Sequence, residues 1–564
     1  MKSIRPHLFA VVILLIPTVF LLLFYIYPLS AILKLSFAPQ GQLDLTGLTR
    51  LVTTDYYLNT LWFTAWQATL STMLTLIVAL PSAYIFARYR FTGKRWLSAL
   101  ATIPFVLPTI VVANAFTVLL GPRGLINQNL MILFQLDQPP IDLKHTVFLI
   151  LLAHVFYNYA IVLRFVGGFW ANLDPALTEA ARVLGASSWQ AFYHVTLPLL
   201  LPVIGAAALL VFIFCFTSFG VVLLLGGPRF ATLEVEIYRQ TINLFNLPLA
   251  ATLSLIQIGF MMSLMALYSR LQRRSSRPLS LQSQQATQRW PETMGERLLV
   301  GGNLLVMLIL LGTPIVALLL HSVTTRHGLS LVYYQTLFDE PIRRTTLSVA
   351  PHEAIFNSLM FASATVILAT MLGLLTAVSL QRGQARPNFK LLYRLLDGLF
   401  MLPLVTSAVT LGFGFIITMN QPPLNLRTSP ILVVIAHTLV ALPFVIRILL
   451  PALQAIQPQL RESAATLGAS PSRVWREVDW PLIKRAMLVG AVFAFTISMG
   501  EFGATVFISR PDRPTMPTAI FRLLDHPGTL NYGQALAMSS LLMVVCIVGF
   551  VMIERFRTGE DEEF

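Results

Sequence analysis

The 564-residue chain is 56% hydrophobic and only 11% charged, with a mean hydropathy of +0.73. Soluble domains carry about 25% charged residues, so this composition excludes an ordinary soluble globular protein. The formal charge of +14 does not indicate a nucleic-acid partner, because the basic residues fall in short segments between apolar blocks, where the positive-inside rule places them beside a lipid bilayer.

In chain order, blocks of the roughly 20 apolar residues needed to cross the hydrocarbon core predict twelve spans. Lys2–His7 precedes the apolar run Leu8–Leu29, which is too long for a signal-peptide core and has no small-residue cleavage site after it, so it reads as a retained first span. The first six spans are expected at about 8–30, 59–86, 97–120, 145–169, 200–225 and 247–269. A Gln-, Ser- and Arg-rich linker follows at 271–297, with the composition of a flexible connection. Six more spans are expected at about 298–321, 355–380, 392–418, 430–452, 484–508 and 533–553. Pro108, Pro403 and Pro443 lie inside spans, which bundled membrane helices tolerate. Cys215 and Cys546 also fall inside spans and read as small apolar packing residues. With the N-terminus inside, Lys and Arg lie on the cytoplasmic side nearly twice as often as outside, although Arg343, Arg344, Arg510 and Arg513 are external. Both termini are therefore expected in the cytoplasm.

The two halves match at a constant offset of 283 residues: Ala153-His154 with Ala436-His437, Arg164 with Arg447, Glu179 with Glu462, Pro198 with Pro481, and Phe219-Gly220 with Phe502-Gly503. The predicted fold is an all-α polytopic membrane protein of two parallel-duplicated six-helix halves, 1–270 and 298–564. The best-matching part is polar. Segment 173–198 contains Glu179-Ala180-Ala181 and Gly185, and segment 456–481 contains Glu462-Ser463-Ala464 and Gly468. In each, proline stands near a helix start, good helix formers follow, and glycine comes six residues after the Glu, where a helix can end in the left-handed conformation. A short rigid helix, a tight bend and a second helix can fit a groove on a partner and carry force.

These segments resemble the EAA loop of ABC importer permeases, with Ser463 a small-for-small departure from the usual first alanine. The resemblance covers nearly the whole chain. It implies that the loops are coupling helices docking two copies of a cytoplasmic ABC ATPase, and that an extracytoplasmic solute-binding protein serves the outer mouth. It further implies a multi-pass protein of the bacterial inner membrane that moves a small solute inward by alternating access. The fused halves are similar to thiamine and ferric-iron permeases. Phe216–Gly220, Leu225–Pro228 and Thr232–Tyr238 look most like the thiamine group, and Met499–Gly503 is also similar to iron, molybdate and sulfate permeases.

ATP and Mg²⁺ are expected on the partner, because this chain has no phosphate-binding loop; Thr92-Gly93-Lys94-Arg95 lacks the earlier glycine and the Ser/Thr that would hold Mg²⁺. No catalytic acid–base set and no metal-ligand spacing is evident, so the chain reads as a transport protein, not an enzyme. The alternative is a twelve-span secondary transporter of major-facilitator type, but the Asp-Arg-rich loop expected after span two is replaced by Ala87–Trp96. Among intramembrane polar residues, Arg164 and Arg447 are expected to snorkel. His154 and His437 read as hydrogen-bonded between helices or as pathway residues. Glu501, whose repeat partner is Ser218, reads either as a pathway charge suited to a cation or as an interhelical carboxyl.

Overall fold

The computed structural model describes residues 14–275, 288–325, 328–339, 349–384, 390–420, 422 and 424–558. Lys2–His7, most of the linker, and Arg343 and Arg344 lie outside these residues. Among the described residues, eleven helices are long and apolar enough to cross a membrane, or twelve when the pair Lys390–Val405 and Ala408–Thr418, bent by 96°, counts as one span.

The chain divides into two compact units that do not follow the repeat halves. One unit comprises Leu48–Glu236 with Ile256–Leu329; the other comprises Met1–Gly47 and Ile237–Leu255 with Ser330–Phe564. Each half thus gives its first long helix to the unit built mainly from the other half, so 1–270 and 298–564 describe the repeat but not the packing. In the first unit Met294–Ser322 packs on Thr109–Leu120, and Asn303 accepts a hydrogen bond from the Ser82 hydroxyl at 2.8 Å. In the second unit Tyr27–Phe37 packs on Ala408–Thr418, where a Cβ on Gly414 would stand 3.0 Å from the Pro28 ring.

Each unit has the same core of three helices: Asp55–Arg88, Val147–Ala171 and Leu197–Phe216 in one, Pro351–Gln384, Ile431–Ala455 and Trp480–Gly500 in the other. Lipid offers no hydrophobic drive between helices, so close approach through small residues holds them. A Cβ on Gly167 would meet the Ala83 carbonyl at 3.3 Å, and one on Gly373 would meet Val445 at 2.6 Å. Three buried threonine hydroxyls on Asp55–Arg88 are satisfied within the helix: Thr64, Thr72 and Thr75 each donate to the carbonyl four residues earlier at 2.7 Å.

The third and fifth spans of both halves differ from the sequence expectation, 392–418 being the pair bent by 96° between Val405 and Ala408. The stretch 97–120 is broken at Leu107, which takes an extended conformation (ψ 139°) because the next residue is Pro108. The counted span there is Thr109–Phe134, which continues past Gly121 into a segment expected outside. The stretches 200–225 and 484–508 are likewise not single helices. The first ends at Phe216 and resumes at Gly220–Leu225; the second ends at Gly500 and resumes at Thr505–Ile508. A further short helix follows each break, Leu233–Tyr238 and Met516–Asp525. Both start on an equivalent contact, the Leu233 N–H donating to Thr64 Oγ1 at 3.0 Å and the Met516 N–H donating to Ser358 Oγ at 2.7 Å. These short helices are buried, which no hydropathy window predicts for segments that hold Glu234, Glu236 and Arg522.

Candidate docking site

Each polar repeat folds as two short helices around a left-handed glycine. In the first, helix Ala176–Val183 ends at Leu184 and Gly185 has φ +95°. The Gly185 N–H donates to the Arg182 carbonyl at 3.0 Å, and the Ala186 N–H to the Ala181 carbonyl at 3.1 Å. That pair of bonds is a Schellman stop. In the second, helix Pro458–Thr466 ends at Leu467 and Gly468 has φ +81°, with Gly468 bonding Ala465 and Ala469 bonding Ala464, both at 3.0 Å. No heavy atom stands within 4 Å of a Cβ placed on either glycine, so backbone conformation alone requires glycine there.

The second short helix of each loop is also specified locally. Ser187 caps Ser188–Ala191 by accepting from the Gln190 N–H at 3.2 Å, while Gln190 returns an acceptor to the Ser187 N–H at 2.8 Å. Pro471 opens its counterpart, Pro471–Val474. A π-turn then joins each loop to its fifth span, Phe192–Thr196 in one half and Trp475–Asp479 in the other. Sequence reasoning missed these turns, because a single-turn π-bulge leaves no periodic signal.

The helices Ala176–Val183 and Pro458–Thr466 have no buried residue. Glu179, Ala180, Glu462 and Ser463 are exposed, and Ala181 and Ala464 are half-buried. Leu184 is 88% exposed and Leu467 is 89% exposed, at equivalent places beside the bends. The loops differ in how they are fastened. Arg461 and Asp479 form an ion pair at 2.7 Å in the second; their repeat counterparts in the first are Thr178 and Thr196.

The structure brings Glu501 and His437 together and leaves Ser218 and His154 without that arrangement. Glu501, 7% exposed, lies in the break after Gly500 and accepts from the Ala504 N–H at 2.7 Å, the Thr505 N–H at 3.0 Å and the Thr505 hydroxyl. His437 Nε2 stands 3.4 Å from the same carboxylate and 2.8 Å from Thr505 Oγ1, and its Nδ1 is 2.6 Å from Ser498 Oγ. His154 keeps the matching Nδ1 contact, to Ser71 at 2.9 Å, but its Nε2 has no partner among the described residues. Gly503 also has a visible reason: a Cβ there would stand 2.9 Å from the Ala408 methyl. Arg164, expected to snorkel, donates from Nε to Thr102 Oγ1 at 2.9 Å, whereas Arg447 is exposed. Cys215 and Cys546 are buried free thiols.

Comparison with known proteins agrees with the repeated architecture. The family model described as binding-protein-dependent transport system inner membrane component matches residues 76–277 and again 369–559. The chain is 28% identical over 504 residues to the thiamine transport system permease protein ThiP of Brucella abortus (strain 2308), covering 89% of this chain and 88% of that one. It is 26% identical over 506 residues to the ThiP protein of Escherichia coli (strain K12), covering 89% of each. It is 25% identical over 554 residues to the probable ABC transporter permease protein y4fN of Sinorhizobium fredii, covering 96% of this chain and 95% of that one. Among solved structures, a bacterial ABC transporter involved in alginate import matches with a TM-score of 0.40 at 18% identity, over 49% of this chain and 99% of that chain. With a family match in each repeat, the major-facilitator alternative is set aside, and the chain belongs to the binding-protein-dependent transport system inner membrane component family as a fused, two-repeat permease of an ABC importer.

Proposed function

We propose that this permease carries thiamine, or a small cation closely like it, inward across the bacterial inner membrane. The observation that carries the substrate assignment is the match over nearly nine-tenths of both chains to permeases named for thiamine transport. Ferric iron, the other solute suggested by the sequence, is the competitor in the test. Two cytoplasmic ABC ATPases, holding the ATP and Mg²⁺, dock on the loops around Gly185 and Gly468, and a solute-binding protein delivers the cargo from outside. ATP hydrolysis in those subunits drives alternating access of the solute site. Glu179, Ala180, Ala181, Glu462, Ser463 and Ala464 form the docking surfaces, and the exposed, locally capped helices support that role. Of the pathway candidates Glu501, Ser218, His154 and His437, the four contacts on the Glu501 carboxylate support a cap of the helix break. Proteoliposomes holding the permease, its ATPase and its binding protein are expected to accumulate radiolabelled thiamine only with internal-facing ATP. Accumulation of ferric iron without thiamine would overturn the substrate assignment.

The balance of Lys and Arg between the loops supports cytoplasmic termini, and the basic cluster at 270–297 supports a cytoplasmic linker. A cysteine introduced as Ser283→Cys is expected to resist an impermeant thiol reagent in intact cells and to react fully after lysis. Labelling of intact cells would invert the topology and remove the docking loops from the ATPase.

A further inference from the structure

Behind the first docking helix lies a pocket of about 410 Å³, bounded by the ends of Asp55–Arg88 and Val147–Ala171 and by the loop itself. Its wall is aromatic. The Trp170 ring, 6% exposed, lies 5.2 Å from Tyr84 and stacks on Phe192 at 6.1 Å. Its mouth is basic. Arg88 and Arg182 both face the space, and neither guanidinium has a hydrogen bond or ion pair among the described residues. Arg289 also lines it but is committed, pairing with Glu296 and lying 5.5 Å over the Tyr89 ring. Glu179 is the single acid among the described lining residues, so positive charge is in excess.

The second half is built differently at the equivalent positions. There Arg461 and Asp479 join in an ion pair at the positions of Thr178 and Thr196, two residues that line the first-half space. Leu453 replaces Trp170 and Ala465 replaces Arg182. The second loop has an open space of its own, about 620 Å³ along Ser470–Trp480, but there Arg473 and Arg476 are both paired with Glu477. Arg88 and Arg182 of the first loop have no such acid partner among the described residues. A guanidinium matches phosphate oxygens bidentately and is weakly hydrated, so two of them lining one half-enclosed space supply the donors that a phosphate group takes. The volume lies within the range of small-molecule sites, about 300–1,000 Å³.

We propose that this pocket binds a phosphate-bearing small molecule, the phosphate on Arg88 and Arg182 and a flat ring against Tyr84 and Trp170, and that occupancy fixes the first docking helix to spans two and four. The inference is independent of which solute is carried.

The full-length permease in phosphatidylcholine nanodiscs is titrated calorimetrically with phenyl phosphate and with inorganic phosphate. Phenyl phosphate is expected to bind about tenfold more tightly than inorganic phosphate, the ring supplying stacking beyond the shared charge. Arg88→Gln and Arg182→Gln are each expected to weaken it about tenfold or more, as removal of a charge-assisted bond does. The pair Thr178→Arg with Thr196→Asp, which transplants the second-loop ion pair, is expected to close the pocket and abolish binding. Nanodiscs containing phosphatidylglycerol identify the source of the phosphate. Unchanged phenyl phosphate affinity there means a soluble ligand, and competition that disappears in the Arg variants means a lipid headgroup. Absence of phenyl phosphate binding by the folded wild-type chain, or binding that survives both Arg substitutions and the transplanted ion pair, overturns the proposal.

Discussion

Replacing Gly185 and Gly468 together by valine is expected to abolish ATP-driven uptake while leaving the permease folded and inserted. Both glycines hold positive φ, +95° and +81°, at the stop of an exposed helix. Open space surrounds both, so valine meets no steric clash with a neighbour and acts only through its own backbone preference. Left-handed conformation in a β-branched residue costs roughly 1–3 kcal/mol at each site. The cheapest relief is to let helices Ala176–Val183 and Pro458–Thr466 run on, which dissolves the Schellman bonds and turns Leu184 and Leu467 away from their positions. Because neither helix has a buried residue, the bundles lose nothing, and thermal stability of the isolated permease stays near wild type. A loss of about 1.4 kcal/mol in docking free energy per loop is tenfold in affinity, and two loops must engage at once. Co-purification of the ATPase is expected to fall with uptake. Asparagine, which tolerates left-handed backbone, should restore much of both at the same positions. Normal uptake by the double valine variant would remove the bend from the coupling mechanism.

The docking loops were legible in the sequence because they are polar segments repeated at a fixed offset, and their glycines answer a local demand that the backbone states by itself. The breaks in the third and fifth spans were less legible. Hydropathy runs unbroken through Leu107-Pro108 and through Ser218-Phe219-Gly220, so a window that counts apolar residues joins what the backbone separates. Pro108 gave a usable signal, since the residue before proline leaves the helical region. The exchange of first helices between the two packing units had no signal in one sequence, because Met294–Ser322 and Tyr27–Phe37 are mostly apolar with only scattered polar residues, and their choice of partner is a matter of tertiary fit. The buried helices Leu233–Tyr238 and Met516–Asp525 were hidden for the opposite reason. Their polar residues suggested an external loop, but the structure satisfies them internally: Glu236 accepts from Tyr56 Oη at 2.7 Å, and Glu234 accepts from the Gln257 amide. Comparing the two halves does recover one buried feature. Serine at 218 against glutamate at 501 marks the place where the breaks differ chemically, although the sequence alone does not tell a pathway charge from a cap.

Glu501→Leu is expected to destabilise the assembled permease more than any other single substitution in the fifth spans. The carboxylate caps the break after Gly500 by taking two backbone N–H groups, from Ala504 and Thr505, and it completes the contacts of His437. Leucine leaves those donors buried without acceptors in a part of the bundle where Gly503 and Gly412 already hold Ala408 and Ala504 at close range. Breaking a buried charged contact of this kind costs about 3–5 kcal/mol. Glutamine is the discriminating variant. Its amide oxygen keeps one N–H bond, but its NH₂ group faces the other donor, so a cap should lose roughly 1–3 kcal/mol. Thiamine uptake per folded molecule should then stay near wild type, because nothing that touches the solute has changed. A residue that instead holds a cationic solute would behave in the opposite way, since glutamine removes the charge and keeps the shape. Thermal unfolding of the assembled complex and uptake per folded molecule, measured on the same preparations, separate the two. Lowered stability with retained uptake identifies Glu501 as the cap of the helix break. Wild-type stability with uptake lost would assign it to the solute pathway and make the His437–Glu501 contact, not the break, the feature that distinguishes the second half from the first.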